Sequence, residues 1–85
     1  MTESTLRSPN EIYEAARKEM LNGRQVSTRE DAWRVMNFFA YNVRHDIAEA
    51  GCQVLRILYP ELEAHMTRDD VRDIVAYQLE RKADA

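Results

Sequence analysis

The chain has 85 residues, 45% of them hydrophobic and 32% charged, with a formal net charge of −3. Its two glycines and two prolines are too few for a turn-rich all-β fold, and no apolar run approaches the roughly 20 residues of a membrane span. Residues 1–8 are polar and carry no secretory signal, and the lone cysteine, Cys52, excludes an internal disulfide. We therefore expect one all-α domain over residues 1–85, with a disordered tail over residues 1–7, in the cytoplasm and not at a membrane.

The negative charge is concentrated near the C-terminal end of the sequence. Acidic and basic residues balance over residues 1–59, whereas residues 60–85 carry seven acids against four bases, which accounts for the net charge of −3. No segment is basic, as a protein that binds the phosphates of a nucleic acid would be. This distribution counts against nucleic acid as a partner.

The first helix start is marked by Ser8, Pro9 and Glu11, which form a capping box with proline at the first helical position. We expect a helix over residues 9–22, followed by Gly23 in a left-handed conformation. The apolar stripe of this helix comprises Ile12, Ala15, Ala16 and Met20.

A second start is marked by Ser27, as the cap, and by Glu30 three residues later. The apolar residues that follow keep helical spacing, which predicts one long central helix over residues 28–59. Gly51 lies inside it, and a single interior glycine costs only about 1 kcal/mol. We therefore expect a bend there at most, with a break near residues 50–52 as the alternative. The stripe consists of Ala32, Met36, Phe39, Val43, Ile47, Ala50, Val54 and Leu58.

Pro60 ends the long helix, because the residue before a proline avoids helical angles. Residues 60–66 are expected to form a short helical elbow with Pro60 at its first position. Thr67, followed closely by two aspartates, marks a third start and predicts a helix over residues 68–82. The residues expected to face inward are Val71, Ile74, Val75, Gln78 and Leu79.

The long helix has a wider apolar arc than two helices of about half its length can cover. Apolar residues flank its stripe at Trp33, Val35, Phe38, Ala40, Leu55 and Ile57. We therefore expect a homodimer in which this helix lies near the two-fold axis of a helical bundle. The alternative is a monomer in which the flanking residues are core. The predicted dimer interface consists of Met36, Phe39, Val43, Ile47, Val54 and Leu58.

The residues that could carry chemistry are not placed to do so. His45 and Glu49 are helical neighbours, a spacing that more often gives an exposed pair than an acid–base couple. Cys52 has no base or cationic setting near it in the sequence, which indicates a structural thiol. We therefore predict that the chain has no catalytic residue and is not an enzyme.

Glu61, His65 and Asp69 are spaced four apart, which would align three possible metal ligands on one helix. The cap at Thr67 is expected to interrupt that helix, and zinc sites have better-defined clusters of Cys and His. The sequence also lacks a glycine-rich phosphate loop. We predict neither a metal site nor a cofactor.

Residues 47–51 and Leu58–Tyr59 have a superficial likeness to the helix-turn-helix of TetR-type repressors. The spacing between Gly51 and Leu58 is longer than in that pattern, and a recognition helix should carry base-reading and phosphate-binding groups, whereas only Arg56 is basic here. We therefore do not assign the chain to that family. A dimeric DNA-binding transcriptional regulator is kept as the alternative function.

Aromatic and basic side chains share one face of the long helix, a composition typical of the residues that dominate protein–protein binding. The acidic stretch over residues 61–73 could face a basic partner. The predicted partner-binding residues are Arg34, Asn37, Phe38, Tyr41, Arg44, His45, Glu61, Glu63, Asp69 and Asp70. We predict a non-enzymatic adaptor, inhibitor or regulator that binds a larger protein. A second alternative, by analogy of size alone, is a phage or mobile-element inhibitor such as an anti-CRISPR protein.

Overall fold

The computed structural model describes residues 8–84, with the side chains of residues 8–83. This part of the chain contains helices and no strand, which confirms the predicted all-α bundle. The elements are α1 (Pro9–Leu21), α2 (Arg29–Asn42), a 3-10 turn (His45–Ile47), α3 (Ala48–Leu58), α4 (Pro60–Glu63) and α5 (Arg68–Asp84). Within residues 8–84, no helix is long and apolar enough to cross a membrane.

The central helix of the bundle is α2. The helices α1 and α5 pack along α2 and contact each other little, while α3 packs against α2, α1 and α5, and α4 is a single turn beside α3. Every helix contributes a fully buried side chain to one core, so the described residues form a single packed unit. The largest of these side chains belong to Tyr13, Met36, Phe39, Leu55, Leu62 and Ile74.

Two of the three predicted helix starts are confirmed. The Ser8 hydroxyl accepts a hydrogen bond from the backbone N–H of Glu11 (3.3 Å), and the Glu11 carboxylate accepts one from the N–H of Ser8 (3.2 Å). Thr67 and Asp70 form the same reciprocal pair at 3.1 and 3.0 Å, so the third start is also a full capping box. Each pair satisfies two N–H groups at a helix start that have no partner within the helix.

The cap of α2 is Thr28, so the prediction of Ser27 is wrong by one residue. The Thr28 hydroxyl accepts a hydrogen bond of 3.0 Å from the N–H of Asp31. The Asp31 carboxylate accepts two hydrogen bonds from the Arg24 guanidinium (2.8 and 3.1 Å) and two from Ser27 (both 3.2 Å). Because Asp31 is held by the loop before the helix, the third helical position falls on it and not on Glu30.

The prediction of one long helix over residues 28–59 is also wrong. The helix α2 ends at Asn42, and Val43 and Arg44 are extended, with ψ angles of 164° and 139°. The Val43 carbonyl, which a continuous helix would use internally, accepts a hydrogen bond of 2.7 Å from the Lys82 ammonium of α5. This contact between distant parts of the chain stabilises the break, after which α3 folds back onto the bundle.

The alternative break near residues 50–52 is not found either, because Gly51 lies inside α3. A Cβ atom at this position would lie 3.3 Å from the ring of Phe39 in α2, closer than side chains normally pack. The glycine therefore allows α3 to approach α2 closely, which is a packing role and not a bend.

The break changes which residues of the predicted stripe face the core. The stripe residues of α2 and its end, Ala32, Met36, Phe39 and Val43, are buried. In α3 the buried residues are Ala48, Cys52 and Leu55. The remaining stripe residues are exposed: Ile47, Ala50, Val54 and Leu58.

The ends of the chain agree more closely with the predictions. The helix α1 is followed by Asn22 and Gly23, both left-handed with φ angles of 59° and 86°. Its core residues include Tyr13, which was not predicted, whereas the predicted Met20 is 39% exposed. The elbow forms as α4 and a turn, and α5 buries its predicted inward residues, with Leu79 half-buried.

Candidate functional site

One face of α2 is left open by its neighbours and forms a groove of about 670 Å3. Because α1 and α5 lie on either side of α2, Met20 stands at one wall and Gln78 and Arg81 stand at the other. We call this surface the α2 groove. The α2 residues along its floor include Trp33, Arg34, Asn37, Phe38 and Tyr41. Its volume lies in the range of ligand sites, about 300–1,000 Å3.

Aromatic side chains make the floor of the α2 groove largely apolar. Trp33 and Phe38 are half-buried, whereas Tyr41 is 43% exposed at one end. The Arg29 guanidinium lies 5.0 Å from the centroid of the Trp33 ring, within cation–π distance. The groove therefore offers flat apolar surface that the fold itself does not cover.

Two amide side chains connect α2 and α5 at this site. The Gln78 side chain, only 3% exposed, donates from Nε2 to Oδ1 of Asn37 (2.8 Å), and Nδ2 of Asn37 donates to the carbonyl of Trp33 (2.7 Å). Among the side chains that the structure describes, Oε1 of Gln78 and Nε1 of Trp33 are buried without a hydrogen-bond partner. Such atoms are uncommon in folded proteins.

The two ends of the α2 groove differ in charge. At one end Arg34 is paired with Glu30 at 2.9 Å. At the other end the Arg81 guanidinium and the Lys82 ammonium lie 5.7 and 5.6 Å from the centroid of the Tyr41 ring. Within the described side chains, neither of these two cations has a carboxylate partner. The Tyr41 end is therefore locally positive on a chain of net charge −3.

A smaller groove of about 320 Å3 continues from the first. It lies between α1 and the break that follows α2, and Phe38 and Asn42 line both grooves. Ile12 of α1 and Ile47 of the 3-10 turn add apolar surface to it. Phe38 is therefore the ridge between two apolar depressions on the same side of the molecule.

The structure separates the predicted partner-binding residues of the long helix into two groups. Arg34, Asn37, Phe38 and Tyr41 are brought together in the α2 groove. Arg44 and His45 lie beyond the break, where Arg44 pairs with Asp46 at 2.7 Å. Because α2 ends at Asn42, these last two residues do not share the helix face on which they were predicted.

Most of the predicted acidic binding residues are engaged within the chain. The Tyr13 hydroxyl donates to Glu61 at 3.1 Å, and the Arg56 guanidinium lies 4.0 Å from Glu63. Arg29 donates to Asp70 at 3.0 and 3.3 Å and, with the N–H of Thr67, holds the pKa of Asp70 below its ordinary value. Of the four predicted acids, Asp69 is exposed and has no ion-pair partner among residues 8–83.

Four large exposed apolar side chains lie on α3 and in the 3-10 turn before it. Large side chains stand on one helix face because their spacing follows the helical period. We call this set the α3 stripe: Ile47 (50% exposed), Val54 (47%), Ile57 (66%) and Leu58 (55%). All four members of the α3 stripe are aliphatic.

The predicted dimer interface is divided by the same break. Met36, Phe39 and Val43 are buried in the core of the single chain, so they are not available to a second copy. Ile47, Val54 and Leu58 belong to the α3 stripe and are available. The surface that could pair with another chain is therefore centred on α3 and not on the middle of a long helix.

The residues considered for catalysis are dispersed. Cys52 is fully buried, and burial, with a smaller contribution from the charge of Glu49, raises its pKa to about 12. Glu49 is paired with Arg72 at 3.2 Å, and His45 lies in the 3-10 turn. Within the described residues, no group of three His, Cys, Asp or Glu side chains is arranged to hold a metal ion.

Six residues that line the α2 groove were not predicted as binding residues, and Trp33, Gln78 and Arg81 are among them. The sequence pattern indicates Trp33 only as a flank of the apolar stripe and Gln78 only as an inward position of the last helix. The joint lining is a tertiary feature, since α2 and α5 are separated by 25 residues along the chain. No protein-family model, curated protein or solved structure matches the sequence.

Proposed function

We propose that this chain is a non-enzymatic protein-interaction module that forms a homodimer and binds a larger protein as an adaptor, inhibitor or regulator. The observation that carries the proposal is the α3 stripe. Four large aliphatic side chains, three on α3 and one in the 3-10 turn before it, stand about half or more exposed. Contiguous apolar surface of this kind marks interaction sites on soluble proteins, because water disfavours it.

A second copy of the chain fits the α3 stripe for two reasons. The stripe contains no charged residue, so two identical stripes meet around a two-fold axis without burying like charges. Small domains also bury a lower fraction of their surface than large ones, and self-association is a common way to add to a marginal core. Burying the exposed half of each aliphatic side chain contributes roughly 1 kcal/mol.

Sedimentation of the purified chain tests the homodimer. We expect a species of about 20 kDa, twice the 10.0 kDa of one chain, at concentrations of tens of micromolar. Val54→Glu should weaken dimerisation at least about tenfold, because it places a carboxylate in the apolar contact. Ala76→Glu is the matched control, since it adds the same charge at an exposed position of α5. A wild-type chain that remains at 10 kDa, or equal effects of the two variants, would contradict the proposed dimer.

A further inference from the structure

The α2 groove is long enough to be a binding site for a helix. Along α2 it extends from Glu30 to Asn42, which is about 18 Å at 1.5 Å per residue. Its walls come from α1 and α5, which flank α2. The helices α1 and α5 contact each other little, so the face of α2 between them is open to an occupant. A length of about 18 Å accommodates roughly three turns of a helix.

The shape of the groove favours a helix over a small molecule. A site for a small molecule encloses most of its ligand, whereas the α2 groove is open along its length, with Phe38 and Tyr41 on its floor and Met20 at its edge. Apolar side chains spaced three and four apart on a helix would contact such a floor from above.

The charges along the groove indicate the orientation and the composition of a bound helix. The Glu30–Arg34 end is neutral because its two charges pair with each other. At the Tyr41 end, Arg81 and Lys82 have no carboxylate partner among the described side chains. The Lys82 ammonium donates to the Val43 carbonyl, whereas the exposed Arg81 is free to pair with a carboxylate at one end of a bound helix.

We infer that the α2 groove binds an acidic amphipathic helix of a partner protein. The apolar face of that helix lies on Phe38 and Tyr41, and its acidic end lies at Arg81. This inference rests on the proposed function, because it names the kind of segment through which the larger protein is bound. The α3 stripe is left free for the second copy of the chain.

Selection from a phage-displayed library of randomised helical peptides against the full chain tests the inference. Peptides of about 16 residues, roughly 24 Å as a helix, cover the groove. We expect enriched sequences with apolar residues spaced three and four apart and with Asp or Glu at one end. Their affinity, measured by fluorescence polarisation, should fall at least about tenfold in Arg81→Glu. Changing the acidic residues of the peptide to Lys should restore binding to that variant.

Arg68→Glu is the matched control, because it makes the same charge change at an exposed position of α5, about 20 Å along the helix from Arg81. Equal affinities for Arg81→Glu and Arg68→Glu would overturn the inference, as would enrichment of basic peptides or of none. If the peptides lose affinity in Val54→Glu but not in Arg81→Glu, the α2 groove is not their binding site. That result would overturn the inference while supporting the proposed interaction module. Failure of selection together with a monomeric chain would contradict both.

Discussion

The hydrogen bond between Tyr13 and Glu61 joins α1 to α4. Removing the donor and removing the acceptor should lower the free energy of unfolding by different amounts. The Tyr13 hydroxyl is fully buried and donates to the Glu61 carboxylate at 3.1 Å, while its ring packs on that of Tyr59 at a centroid distance of 4.0 Å. Tyr13→Phe removes the donor and keeps the ring. The half-buried Glu61 then recovers a hydrogen bond from water.

The magnitudes follow from this difference in burial. Tyr13→Phe should lower the free energy of unfolding by about 1 kcal/mol, the net value of a typical hydrogen bond. Glu61→Ala should cost about 2 kcal/mol, because it leaves the Tyr13 hydroxyl buried without a partner. The double variant should cost about as much as Tyr13→Phe alone, since with the hydroxyl absent the carboxylate has little left to stabilise.

Thermal and urea unfolding of the four proteins, at one fixed chain concentration, provides the measurement. For a domain of this size, 1 kcal/mol corresponds to a change of about 4–8 °C in Tm. Fixed concentration matters because a dimer would make Tm depend on it. The reasoning is refuted if Glu61→Ala costs less than Tyr13→Phe, or if the two effects simply add.

The same contact predicts how stability changes at high pH. Burial, followed by the negative charge of Glu61 and the hydrogen bond to it, raises the pKa of Tyr13 well above its ordinary value. The folded chain therefore holds a proton that the unfolded chain loses, so the free energy of unfolding should fall as the pH rises above about 10. Tyr13→Phe should show a smaller fall. Some dependence remains, because burial also raises the pKa of Tyr59.

Two further predictions concern single side chains. Hydrogen bonds from Arg24, and further ones from Ser27, hold the pKa of Asp31 far below its ordinary value, so its stabilisation is present at pH 7 and is lost as the pH falls below about 4. Asp31→Asn should therefore lower Tm at pH 7, and the difference from wild type should shrink near pH 2; an unchanged difference would contradict this explanation. Cys52 should react with a thiol reagent at pH 8 only after unfolding, because the buried thiol stays protonated. Reaction of the native chain at the rate of a free thiol would show that the site opens.

The helix starts could be predicted because the groups that define them lie within three residues of each other. Ser8 with Glu11, and Thr67 with the aspartate that follows, bind one another wherever the rest of the chain lies. The α2 cap was displaced by one residue because Arg24, in the loop before it, binds Asp31. Ser27 and Thr28 could each cap the helix by the same chemistry, and only such a contact decides between them.

The break after α2 could not be predicted by the same means. Apolar spacing alone gave a continuous helix, and Gly51, the residue that most resembles a breaker, packs against α2 instead. The Val43 carbonyl is bound by Lys82, which lies 39 residues further along the chain. The α2 groove could not be predicted from the sequence for a similar reason, since Trp33 and Gln78 come together only when α5 packs on α2.

The position of Trp33 gives the groove its own optical signal. It is the one tryptophan of the chain, and it lies half-buried in the α2 groove under the Arg29 guanidinium. Indole emission depends on the polarity and the charges around the ring. A segment bound in the groove would change that emission, whereas contact through the α3 stripe would leave it unchanged. The wild-type chain can therefore report, without a label, which of its two surfaces a partner occupies.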